Sequence, residues 1–168
     1  MNWFFITVGY SGLSPKAPGT MGTLVSLPLG MLILIYFDTN TLFLATLLIS
    51  LIAIKAINSY EEKSGIHDDK RIVIDELAGI WMALSIAPAF GVAPDAVMNL
   101  SNGFLIQSIL AFGLFRYFDI AKPSIIGRID REVKGGIGVM GDDIIAGVAA
   151  GISTAVLWQG FLYFQTLV

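Results

Sequence analysis

The 168-residue sequence has no cysteine, a single histidine and little charge. Without cysteine there can be no disulfide, no thiolate metal site and no cysteine-nucleophile phosphatase. One histidine, His67, rules out any two-histidine phosphatase mechanism. Charged residues make up 14% and apolar residues 55%, against about 25% and about 45–50% in soluble domains. Mean hydropathy is +0.77. A soluble fold this small has too little interior for so much apolar surface, so lipid is the expected solvent. The N-terminal Met1-Asn2-Trp3-Phe4-Phe5-Ile6 lacks the basic start of a signal peptide. Length favours one domain over 1–168.

Five stretches carry no charge: Ala17–Phe37, Thr39–Ile54, Leu77–Pro94, Ala96–Phe115 and Ile144–Val168. A spanning helix needs about 20 residues, within a range of roughly 17–25. The expected fold is therefore all-α, a multi-pass membrane helical bundle. The first helix is expected to start near Gly22, after Ala-Pro-Gly-Thr, which leaves it short, as the second also is. All ten Lys and Arg residues fall at Lys16, in the segment Lys55–Arg71 and in the segment Arg116–Lys134. The other two loops hold only Asp38 and Asp95. With five spans this alternation is consistent, and the positive-inside rule puts the N-terminus and both charged loops in the cytoplasm. The clusters of Gly and Pro in Gly9–Gly22 and Gly135–Gly141 read as loops at the membrane edge.

Four constellations map to that charged side. In Gly9–Thr23, glycines and prolines shape an irregular backbone whose N–H groups can face an anion, beside Lys16, Thr20 and Thr23. The helix start that follows favours phosphate. It is not a Walker A loop, and a plain turn with a Thr cap is the competing reading. In Ile72–Trp81, the adjacent carboxylates Asp75 and Glu76 sit inside an apolar run. Such charges need partners, either a shared metal ion or a structural arginine. Arg116, Asp119 and Lys122, spaced three apart before Pro123, fall along one helical face and suit a phosphate held beside a metal. A snorkelling basic belt is the alternative there. Finally, Asp142 and Asp143 follow a glycine-rich run into the last span. One Asp is explained as an N-cap, but two fit a hard-cation site of oxygen ligands. Gly147 and Gly151 form a Gly-x-x-x-Gly expected at a helix contact. His67, in a polar loop with Asp68 and Asp69, ranks as a weak catalytic candidate.

Together these stretches resemble the phosphatidylglycerophosphatase A family over nearly the whole chain. Pro18-Gly19-Thr20-Met21-Gly22-Thr23-Leu24 resembles its N-terminal loop, and Asp75-Glu76-x-x-Gly79 its central acidic motif. Phe115-Arg116-x-x-Asp119-x-x-Lys122-Pro123 and Gly138-Val-Met-x-Asp142-Asp143-x-x-Ala146-Gly147 resemble its last two motifs. Two departures touch loop geometry and no charged position. Ser124-Ile125-Ile126 follow Lys-Pro in place of an aromatic and a second proline, and Gly141 stands where a larger residue is frequent. The resemblance implies a Mg2+-dependent phosphatase of the bacterial inner membrane, converting phosphatidylglycerophosphate to phosphatidylglycerol and phosphate. The partners are then the lipid substrate and the bilayer, with no role for nucleic acid.

On this reading Asp75, Glu76, Asp142 and Asp143 hold Mg2+, with Asp119 as a possible fifth ligand and all five as catalytic candidates. Lys16, Thr20, Thr23, Arg116 and Lys122 bind phosphate. Two other classes compete. A CDP-alcohol phosphotransferase needs an Arg after the aspartate pair and a second acidic motif of the same form, and the sequence has neither. A transporter would place ionisable residues in the middles of its spans, and these spans have none there.

Overall fold

The computed structural model describes residues 3–67, 69–87 and 103–167, and within them every regular element is helical. A short helix α1 (Trp3–Ile6) and a 3-10 turn (Ser11–Leu13) lead to α2 (Pro18–Tyr36) and α3 (Thr39–Ser64). After a loop come α4 (Ile74–Ile86), α5 (Phe104–Ala121), α6 (Ile125–Glu132) and α7 (Gly135–Gln165). Helices α2, α3, α5 and α7 are each long and apolar enough to cross a membrane. Their outer faces carry exposed leucine, isoleucine and valine, such as Leu32, Leu48, Ile109 and Val156, as a lipid-facing coat requires.

Local chemistry sets the helix ends. Pro18 occupies the first turn of α2, where its missing N–H costs nothing. Asp38 caps α3 by accepting from the Thr41 N–H at 2.6 Å, and Gly65 ends it in the left-handed region at φ 68°. Buried hydroxyls inside the spans, among them Ser26, Thr46 and Thr154, donate to carbonyls four residues back, so these three are not stranded in hydrocarbon.

Helix α4 is the axis of the bundle. Ten of its thirteen residues are buried, and α2, α3, α5 and α7 all pack on it. Close approach depends on glycine. A Cβ on Gly147 would overlap the Gly79 carbonyl of α4, and one on Gly151 would lie 2.8 Å from the Ala83 carbonyl oxygen. The expected Gly-x-x-x-Gly contact is thus between α7 and α4. Gly30 lets the Trp81 indole lie against α2, where its Nε1–H donates to the Ser26 carbonyl at 2.9 Å.

The structure corrects several expectations. Four helices, not five, have the length and apolarity of a span among the described residues. The third charge-free stretch begins as α4, which at about 20 Å is a core helix too short to cross alone. Residues 88–102, with Asp95, lie outside the described residues. α2 starts at Pro18 instead of Gly22, and α3 runs through Lys55 to Ser64, so neither span is short. The run Gly135–Gly141 is helix, not loop. Gly136 has to be glycine because Ile54 of α3 presses its backbone there, with its Cα 2.9 Å from a Cβ built on Gly136. The Gly136 N–H is met by Asn58 Oδ1 at 2.6 Å.

Candidate active site

The starts of α2, α4 and α7, the end of α5, the loop after α3 and helix α6 meet at one end of the bundle. There they enclose a cavity of about 720 Å3. Asp75, Glu76, Asp119, Asp142 and Asp143 line it, along with Arg116, Lys122, Thr20 and the Ala17-Pro18-Gly19 backbone. Segments far apart in sequence thus converge on one basin. Asp142 and Asp143 are the eighth and ninth residues of α7, two turns inside the helix, so they do not act as N-caps.

Glu76 is buried and held from three sides. The Arg116 guanidinium pairs with its Oε2, Thr23 Oγ1 donates to the same oxygen at 2.9 Å, and Oε1 rests on Gly19, where a Cβ would collide with it. The arginine partner weighed for Glu76 is therefore present, and it is a residue of the site itself. Arg116 also pairs with Asp119 at 2.8 Å, while its Nε is buried without a partner.

Lys122 does not continue the α5 face. It takes a left-handed conformation at φ 42° as the C-cap, and the chain turns sharply into α6. That turn points its ammonium to Asp142 Oδ2 at 2.7 Å and to Asp130 of α6. Burial pulls the Lys122 pKa down, but the two carboxylates outweigh burial and hold it above the usual lysine value. Its charge is therefore constant at working pH.

Two expected phosphate ligands stand apart from the cavity wall. Thr23 is fully buried beneath Glu76 and positions that carboxylate. Lys16 is exposed and does not line the cavity. In the Gly9–Thr23 segment, the N–H groups of Gly9, Ser11, Gly12, Leu13 and Ser14 are spent on carbonyls within the N-terminal segment. From this segment, Ala17, Pro18, Gly19 and Thr20 line the cavity. Conversely, His67, Lys70 and Asp130 line it. Asp130 gives no sequence signal, since Arg128-Ile-Asp-Arg131 reads as a solvated charge run. The α6 helix brings it to Lys122.

The donor set suits a hard divalent cation. Every candidate ligand is a carboxylate oxygen, and Asp142 Oδ1 is buried with no hydrogen-bond partner, leaving a lone pair directed at no protein donor. Among the described residues no three carboxylates already surround a common point. Arg116 and Lys122 occupy several of the oxygens, so binding a cation entails turning side chains. The backbone frame is in place.

Residues 4–158 match the family model for Phosphatidylglycerophosphatase A. An Escherichia coli (strain K12) protein named Phosphatidylglycerophosphatase A is 34% identical over 163 residues, 96% of this chain and 82% of that protein. A Haemophilus influenzae protein of the same name is 33% identical over 146 residues, 86% of this chain and 82% of its own length. A Bacteroides thetaiotaomicron protein, provisionally named a phosphatidylinositol-3-phosphatase, is 35% identical over 150 residues, 87% of this chain and 86% of its own length. No solved structure matches the chain. With the family model covering nearly all of the sequence and the four motifs meeting in one basin, the chain belongs to the phosphatidylglycerophosphatase A family.

Proposed function

We propose that the chain hydrolyses phosphatidylglycerophosphate to phosphatidylglycerol and inorganic phosphate, using Mg2+, at the cytoplasmic face of the bacterial inner membrane. The observation that carries this reading is the basin itself, with six carboxylates and the paired cations Arg116 and Lys122 at one end of an apolar helical bundle. A lipid headgroup reaches such a site while its acyl chains stay beside the lipid-facing helices. The cation-rich end faces the cytoplasm by the positive-inside rule.

Asp75, Glu76, Asp142 and Asp143 would hold the metal ion, with Asp119 on the same cavity wall. When bound, Mg2+ would supply Lewis acidity toward the phosphoryl oxygens. Arg116 and Lys122, now paired with the acidic residues, turn to the phosphoryl oxygens and stabilise charge that develops during transfer. Thr20 and the first-turn N–H groups of α2 add donors, since those groups have no partner within the helix. Thr23 and Gly19 keep Glu76 in place.

The test is phosphate release from phosphatidylglycerophosphate in mixed micelles, with Mg2+ or with EDTA, for wild type and Asp142→Asn. Release that needs Mg2+ and disappears in the variant is expected. Release in EDTA would discard the metal assignment, and release undiminished in Asp142→Asn would discard the site. Phosphatidylinositol 3-phosphate belongs in the same assay because one relative carries that name. Faster turnover of it would replace the substrate while keeping the reaction.

A further inference from the structure

We propose that His67 is the general acid that protonates the departing alcohol, with Glu61 as its positioning residue. This rests on the phosphatase reading above. His67 sits in the loop between α3 and α4 and lines the same cavity as Asp75 and Asp142. Its Nδ1 lies 2.6 Å from Glu61 Oε1 on the last turns of α3. A carboxylate accepts, so the ring donates from Nδ1, and Nε2 is the nitrogen Glu61 does not engage. An imidazole held by a carboxylate and presented to a phosphate basin has the construction of a proton donor.

The chemistry calls for one. A primary alkoxide is a poor leaving group at neutral pH. The other cationic groups on the cavity wall are ill suited to supply the proton. A guanidinium does not give up its proton, and Lys122, paired with Asp130 and Asp142, keeps its charge for the phosphoryl oxygens. Lys70, on the same loop, is a charge on the cavity wall for the headgroup. In the step proposed, the P–O bond to the glycerol breaks and its electron pair stays on the glycerol oxygen. The Nε2 proton passes to that oxygen and gives the neutral alcohol. Water forms the new P–O bond and its proton goes to a basin carboxylate. His67 then regains a proton from solvent.

The experiment compares phosphatidylglycerophosphate with an analogue of equal acyl length whose phosphate is carried on a nitrophenol, a leaving group that needs no proton. His67→Gln is expected to lower kcat on the natural ester about 10²–10⁴-fold, the usual worth of a general acid, and on the aryl ester less than about fivefold. Glu61→Gln should show the same selectivity at smaller size. His67 is well exposed, at 54% of its side chain, so the substitution spares the fold. Equal losses on both esters would assign His67 to binding or structure and overturn the proposal, as would full activity on both. Wild-type protein that released phosphate from neither ester would overturn the phosphatase reading, and the proposal with it.

Discussion

Gly19→Ala separates the needs of the site from the needs of the fold. Gly19 is the second residue of α2, and its backbone is helical. Alanine is favoured over glycine inside a helix by about 0.8–1.0 kcal/mol, so propensity alone predicts a stabilised protein. The added Cβ, however, would overlap Glu76 Oε1, stand 3.2 Å from its Cδ and 3.5 Å from Arg116 Nη1. The colliding group is the tip of a flexible side chain, so the backbone has no need to move. Glu76 moves instead, and in moving gives up the Thr23 hydroxyl at 2.9 Å and its alignment with Arg116. A hydrogen bond to a charged group contributes about 1.5–3 kcal/mol. If that is lost from the reactive arrangement, kcat/KM falls roughly 12- to 140-fold, at about 1.4 kcal/mol per factor of ten. Stability falls by only about 0.5–2.2 kcal/mol, because the propensity gain offsets part of the loss. The assay is kcat/KM on micellar phosphatidylglycerophosphate alongside thermal unfolding in the same detergent. Thr23→Val, which removes the hydroxyl without adding an atom at Gly19, serves as the control. Wild-type kcat/KM in Gly19→Ala would refute the reasoning, and so would a loss of activity that merely tracks a loss of fold.

Gly147→Ala should behave in the opposite way: its Cβ meets backbone, the Gly79 carbonyl, which has no rotamer to yield. Overpacking of this kind costs about 1–3 kcal/mol, so a clear drop in Tm is expected, and an unchanged Tm would contradict the α4–α7 packing. Asp38→Asn should leave both activity and Tm nearly unchanged. Asn caps a helix about as well as Asp, and Asp38 sits at the far end of α2 from the cavity. A loss of activity there would contradict the location of the site. Asp69 accepts from Arg71, at 2.6 Å from Nη2, and from the Tyr60 hydroxyl at 2.5 Å. The Arg71 guanidinium foremost, and then Tyr60, hold its carboxyl well below the usual carboxylate range despite partial burial. Because the folded-state value is depressed, its stabilisation is fully present above about pH 4, the unfolded value, and is lost as pH falls toward the folded-state value. The Tm difference between wild type and Asp69→Asn should therefore be largest near neutral pH and shrink below about pH 4. A difference independent of pH would remove the ion pair from the account.

Much of this was legible in the sequence, because hydropathy and charge act locally. A run without charge must find an apolar solvent whatever surrounds it, so the spans at Ala17–Phe37 and Thr39–Ile54 were visible, though the second helix extends further, to Ser64. The gathering of cations, and of Asp75-Glu76 and Asp142-Asp143, toward one side was likewise visible, since putting such groups in lipid is costly at any position. Glycine is where local reasoning failed. The Gly135–Gly141 run has a loop's composition, yet it is helix because α3 presses too close to the start of α7 for any larger side chain at Gly136. That requirement comes from a neighbour about eighty residues away.

Tertiary structure decided how the residues divide their work. It placed Thr23 under Glu76 and not against the cavity, and left Lys16 outside. It turned Lys122 off the α5 face through a left-handed cap, and it brought in Asp130, whose segment looks like any solvated helix. It also set His67 against Glu61 at the cavity wall, six residues apart in sequence and joined only because Gly65 reverses the chain at the end of α3. Sequence alone determined the solvent, the helical class and which residue types cluster at one edge, since each follows from the transfer energy of a segment. Which oxygen faces which cation depends on angles and approaches between helices. Those exist only once α4 is enclosed by its neighbours.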